Sequence, residues 1–178
     1  MFARSALALD PLSGVLAASV GVVLFAARRY SESVLQYERT IDTDPNFGIA
    51  HYFLGQALMQ LGARTRAIAS FERAIELSGR SPEILSALGH ARAVDGDMEG
   101  AQRLLHELGR IAADQYVSPY HIAQLHLGLG ASEMALTWLE RALEARAAEL
   151  SWIRVRAIWD PLRATARFGA IEHVLGLA

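Results

Sequence analysis

A chain of 178 residues with 52% hydrophobic content is long enough to bury a substantial core, as one domain or one continuous array. Its 17 basic and 19 acidic residues leave a net charge of −2, so nothing in the charge balance favours a polyanion such as DNA as the main partner. The absence of cysteine excludes disulfides, thiolate metal sites and cysteine nucleophiles.

The first apolar run, Leu12 to Ala27, is uncharged throughout and ends in two arginines. Spanning a bilayer takes about 18–20 such residues, more than this run supplies, so it reads as a buried helix and no membrane partner is expected. Asp10-Pro11 interrupts the apolar stretch that a secretory signal would need, which places the chain in the cytoplasm as an expectation.

Further along, the chain repeats itself. Gly21, Gly55, Gly89 and Ala123 recur at a constant step of 34, as do Ser33, Ala67, Ala101 and Ala135. The same step links Val20, Leu54, Leu88 and Ile122, and again Tyr37, Phe71, Leu105 and Leu139. Within each copy the apolar spacing is helical, and Gly62, Gly96 and Gly130 stand where a first helix must end in a left-handed cap before its antiparallel partner begins. Small residues fall where the two helices of a copy approach closest, with Leu54 and Phe71 filling the space beside them.

This pattern resembles the tetratricopeptide repeat, a helix-turn-helix unit of about 34 residues. The residues that carry the likeness are Leu54, Gly55, Gly62, Ala67, Phe71 and Ala74 in the second copy, with Leu88, Gly89, Gly96 and Ala101 in the third. The first copy departs from the family by placing Arg28 and Thr40 where Gly and Ala are usual, and the fourth opens its first helix with VSPYHIA, where Ser118 can cap and Pro119 can occupy the first turn. The resemblance implies an all-α, right-handed solenoid of antiparallel helix pairs. Residues 1–13 would form a partial leading helix, 14–47, 48–81, 82–115 and 116–149 the four repeats, and 150–178 a helical cap. Within that cap, Asp160-Pro161 is expected to begin a short helix, and a last amphipathic helix to run from about Arg167 to Leu175.

The leading segment FARSALALDP matches the end of a second helix whose partner is missing, so an array that begins there exposes an apolar face carrying Leu7 and Leu9. The ending resembles that of arrays in bacterial signalling proteins, which sit behind winged-helix, cyclase or kinase domains.

In this family the second, fifth, ninth and twelfth places of each unit point into a groove, which here implies a peptide-binding set of Tyr52, Gln56, Met59, His90, Tyr120 and Gln124. Aromatic and amide groups suit an extended peptide, whose main chain can bond to Gln while its side chains lie on Tyr; the plainer alternative is that both tyrosines only pack between helices. Six histidines raise the question of a metal, but no thiol or carboxylate set accompanies them and none is expected. The interleaved Trp152, Arg154, Arg156, Trp159, Arg163 and Arg167 resemble a single-strand nucleic-acid surface, yet an end-cap explains them as well, with Trp buried and Arg stems on its rim. No phosphate loop, nucleophile elbow or metalloprotease helix occurs. The expectation is therefore a scaffold without enzymatic activity or cofactor that binds a protein or extended peptide, with self-association through the open N-terminal face as the alternative.

Overall fold

In a computed structural model, which describes residues 14–177, every regular element is helical. The order is α1 (Gly14–Ala26), α2 (Tyr30–Thr43), α3 (Gly48–Gln60), α4 (Arg64–Ser78), α5 (Pro82–Asp95), α6 (Met98–Asp114), α7 (Pro119–Gly128) and α8 (Ser132–Glu144), then two 3-10 segments (Ala148–Trp152 and Ala157–Leu162) and α9 (Ala166–Val174). The second helices of the four copies begin at Tyr30, Arg64, Met98 and Ser132, and so keep the step of the small-residue columns without a slip. The leading helix expected over 1–13, with Leu7 and Leu9, lies outside the described residues. No described helix is long and apolar enough to cross a membrane.

A recurring stop signal produces this order. At the end of each first helix the residues at 28, 62, 96 and 130 all take positive φ, of 57°, 72°, 101° and 76°. Each turn is closed by the same two backbone bonds: Gly62 N–H donates to the Met59 carbonyl and Ala63 N–H to the Leu58 carbonyl, and the three sister turns repeat the pair. This is the left-handed helix terminus that satisfies the last free carbonyls. Glycine fills it without strain in three copies, whereas Arg28 holds the same conformation at a steric cost.

The chain divides into two compact units, residues 1–84 and 85–178, with the boundary inside α5. In the first unit α1 packs on α2 and α3, α2 on α3, and α3 on α4. The α1–α2 pair is antiparallel: the Ser33 hydroxyl donates to the Gly21 carbonyl at 2.9 Å, and one turn later Gln36 reaches back to the Ala17 carbonyl at 3.2 Å. The small column faces inward throughout, with Ser33, Ala67, Ala101 and Ala135 all fully buried. The glycine column receives a ring: a Cβ built on Gly21 would stand 2.4 Å from Tyr37, and one on Gly55 2.6 Å from Phe71. Thr40 takes the place of the usual Ala by folding its hydroxyl back onto the Gln36 carbonyl, so its polar atom is satisfied in the core.

In the second unit the third copy varies the theme. Leu104 is buried and Leu105 only partly so, and Gly89 is met by Leu125 and Leu104. Beyond α8 the C-terminal segment closes the unit: Ile153, Trp159, Leu162, Phe168 and Ile171 join Tyr120, Leu136 and Leu139 in one apolar cluster. Trp159 and Leu162 are three apart and so share one face of a 3-10 turn, which buries both. For that reason the turn runs from Ala157 and takes in Asp160-Pro161, where a helix beginning at that pair was expected. The last helix starts at Ala166, its N-terminus capped by the Thr165 hydroxyl, which accepts from Phe168 N–H. Ser118 does stand before Pro119 at the head of α7, but its hydroxyl makes no capping bond and is enclosed. The N–H of His121, a usual target of such a cap, donates to the Ser118 carbonyl instead.

Candidate functional site

The six groove positions are placed by α3, α5 and α7, the first helices of three copies. Tyr52 and Gln56 lie one turn apart on α3, both buried, and the Gln56 carboxamide donates to the Tyr52 hydroxyl. Tyr52 also packs edge-on against Phe53 and within 6.0 Å of Phe71, so it belongs to the packing of the first unit as much as to its surface. Met59, a turn further on, is partly exposed.

The second unit holds the equivalent pair, Tyr120 and Gln124 on α7, but wires it differently. Tyr120 is fully buried, and its hydroxyl accepts from the indole N–H of Trp159 at 2.9 Å while the two rings meet edge to face. The Arg156 guanidinium lies over the same tyrosine ring at 5.9 Å. Gln124, at 3% exposure, contributes its backbone carbonyl to His90, whose Nδ1 is 3.1 Å away. His90 and Gln124 are 34 apart, so the bond joins the same place in consecutive copies. The close approach depends on Gly128, where a Cβ would stand 2.8 Å from the His90 backbone. Burial lowers the His90 pKa to about 4; the bond to the Gln124 carbonyl opposes this and the Arg156 charge adds to it. His90 is therefore neutral near pH 7. Since a carbonyl can only accept, the proton sits on Nδ1 and Nε2 is left as an acceptor.

Of the six positions, then, Met59 in the first unit and His90 in the second are partly exposed, and Tyr52, Gln56, Tyr120 and Gln124 are buried. The other histidines do not gather around His90. His121 lies 3.2 Å from Glu149, and His126 stacks on Trp138, which carries Arg141 on its ring. Among the described residues no group of three or more His, Asp and Glu side chains could hold a metal ion.

The C-terminal arginines serve the cap. Arg163 pairs with Asp160 and Glu172 and donates to the Ile153 and Arg154 carbonyls, and Arg167 pairs with Glu133 and Glu140. Trp159 is sealed in the core, whereas Trp152 remains 43% exposed. The link between Trp159 and Tyr120 was not readable from spacing, because the two are 39 apart and belong to different kinds of element.

Comparison with known proteins places this geometry. Residues 21–83 and 120–149 each match family models described as tetratricopeptide repeat. Over 71 residues, 40% of its length, the chain is 35% identical to the cytochrome c-type biogenesis protein CycH of Pseudomonas aeruginosa, and this stretch spans 17% of that protein. Among solved structures, the APC/C hetero-tetramer Cut9–Hcn1 is similar at a TM-score of 0.68 and 19% identity over 97% of this chain and 32% of that one. MamA is similar at 0.59 and 19% over 84% of this chain and 87% of its own. YrrB, titled a TPR protein with an unusual peptide-binding site, is similar at 0.57 and 12% over 97% and 90%. At these identities the structures establish a shared fold. The chain carries tetratricopeptide repeats over both matched stretches.

Proposed function

We propose that this chain is a non-enzymatic scaffold that binds a protein or an extended peptide on the faces of its first helices, as the interaction or sensory part of a bacterial regulatory protein in the cytoplasm. The observation that carries this reading is the mixed character of those faces. In the first unit the exposed Ile49 and partly exposed Met59 share α3 with the hydrogen-bonded Tyr52–Gln56 pair, and in the second the partly exposed His90 is held by the Gln124 backbone carbonyl. Such a surface offers apolar contact together with fixed polar groups, which favours binding because little side-chain freedom is lost. The peptide-binding site named for YrrB supports a peptide as ligand. Photo-cross-linking tests the reading: p-benzoylphenylalanine at Ile49 or Met59 is expected to capture a partner, and the same group at the exposed Glu76 of α4 or Arg110 of α6 is not. Equal capture from both sets would refute the assignment of the face.

Self-association is the second reading, and one column favours it. Ala57, Ala91 and Leu125 are fully buried, but Val23, at the same place in the first copy, is 57% exposed, with Val15 exposed on the same helix. Light scattering distinguishes the two readings: a dimer abolished by Val15→Asn and Val23→Asn, or by polar substitutions at Leu7 and Leu9, supports self-association, and a monomer in the parent chain removes it.

A further inference from the structure

The two tyrosine–glutamine pairs share one register and one sequence spacing, yet they end in different states. In the first unit the Tyr52 hydroxyl accepts from the Gln56 carboxamide. In the second, the Tyr120 hydroxyl accepts from Trp159, and among the described residues no group bonds the Gln124 carboxamide. A neutral hydroxyl already held by an indole N–H and enclosed in the core is poorly placed to serve a second donor. The Gln124 carboxamide is also not sealed off. Ser118 Oγ and Trp138 Nε1 are fully enclosed polar atoms without a partner, and neither polar atom of Gln124 is among them. A side chain at 3% exposure thus holds one N–H donor edge and one carbonyl just short of full enclosure, with no protein partner for either. Beside it stands His90, fixed by the Gln124 backbone carbonyl so that Nε2 is an acceptor.

We propose that Trp159 acts as a positioning residue: by drawing the Tyr120 hydroxyl into the C-terminal core it frees the Gln124 carboxamide to bind the main chain of an extended peptide, with His90 Nε2 as an adjoining acceptor. The inference rests on the peptide-binding reading above and specifies where and how that binding occurs. A carboxamide matches a peptide group atom for atom, accepting its N–H and donating to its carbonyl, and neither bond depends on the peptide's side chains. Recognition of this kind is largely insensitive to salt, since no net charge is neutralised. The segment after the last repeat thereby sets the binding properties of the repeat it covers, whereas in the first unit the Tyr52 hydroxyl keeps the Gln56 carboxamide closed.

The test follows the Gln124 side-chain NH2 signal by NMR in the full chain while acetyl-Ala-Leu-Ala-Leu-Ala-amide is added at millimolar concentration. The Gln124 signal is expected to move and that of Gln56 to stay. An ester in place of the central amide is expected to weaken binding about 5- to 10-fold, the worth of one hydrogen bond. Trp159→Phe releases the Tyr120 hydroxyl to take the carboxamide and is expected to weaken binding by a similar factor, while Tyr120→Phe/Trp159→Phe removes the competing hydroxyl and restores it. A merely structural role for Trp159 would make the double variant no better than the single one, and that result overturns the proposal. Shifts confined to α3 or to the second helices also overturn it while leaving the scaffold reading intact. No shift anywhere overturns it too, and the scaffold reading then stands or falls on the cross-linking.

Discussion

Replacing Gly55 by alanine adds a methyl group to a helix, a change that ordinarily stabilises. In α3 it should do the opposite. The new Cβ would stand 2.6, 2.8 and 2.9 Å from three atoms of the Phe71 ring, which is 1% exposed and has nowhere to turn. Overpacking of this kind costs about 1–3 kcal/mol, and overlap with three atoms of a rigid ring belongs to the upper end. Against it stands a helix-propensity gain of about 1 kcal/mol. The net expectation is a loss of about 2 kcal/mol, or roughly 4–8 °C in Tm for a chain of this size. Gly109 is the control. It lies inside α6, is exposed and has no atom within 4 Å of a built Cβ, so Gly109→Ala should raise stability by about 0.5–1 kcal/mol. Thermal and urea unfolding followed by circular dichroism measure both. A double-mutant cycle with Phe71→Leu should show a favourable coupling of more than about 1 kcal/mol, because the smaller side chain vacates the ring's place. If Gly55→Ala unfolds with the parent chain, or if the cycle shows no coupling, the ring does not lie over the glycine and the account of how the helices of a pair approach fails.

His90 makes stability depend on pH with a definite sign. Its pKa is lowered on folding, so between about pH 6.5 and 4 the unfolded chain holds more protons than the folded one, and stability falls as the pH falls through that window. The loss is on the order of 3 kcal/mol at most, and urea titrations of His90→Gln over the same range should be flatter than those of the parent. Trp159→Ala is expected to cost about 3–5 kcal/mol and Trp152→Ala less than about 0.5, since the first ring is sealed in the core and the second is exposed; equal losses would contradict the cap's packing. Arg28→Gly should gain roughly 0.5–1 kcal/mol in thermal unfolding by relieving a left-handed backbone at a non-glycine residue, and a loss would show that the Arg28 side chain matters more than its φ.

Some of this architecture could be read directly from the residues, because each repeat must solve the same steric problem at the same step. A turn that needs positive φ favours Gly62, Gly96 and Gly130, and a helix pair that closes to contact needs Ala67, Ala101 and Ala135, so the period is visible in small residues alone. Large residues were less telling. Leu105 occupies the column of Phe71 without its burial, since packing around Gly89 is supplied by Leu104 and Leu125. The candidate site was less accessible still. Position in the register put Gln56 and Gln124 in one class, and only the tertiary contact between Trp159 and Tyr120 separates a closed carboxamide from an open one. Likewise the enclosed Ser118 hydroxyl and the 3-10 turn through Asp160-Pro161 depend on neighbours that local sequence rules do not see.

The claim beneath the whole account is that paired helices recur at the step separating Tyr30, Arg64, Met98 and Ser132, and bury one another in that register. Hydrogen–deuterium exchange of the free chain, resolved by peptide mass spectrometry, tests it most directly. Protection should extend through both helices of each copy and break at the connections 44–47, 79–81 and 115–118. Slow exchange across those connections, or fast exchange through Ala67, Ala101 and Ala135 at the centre of the second helices, would contradict it.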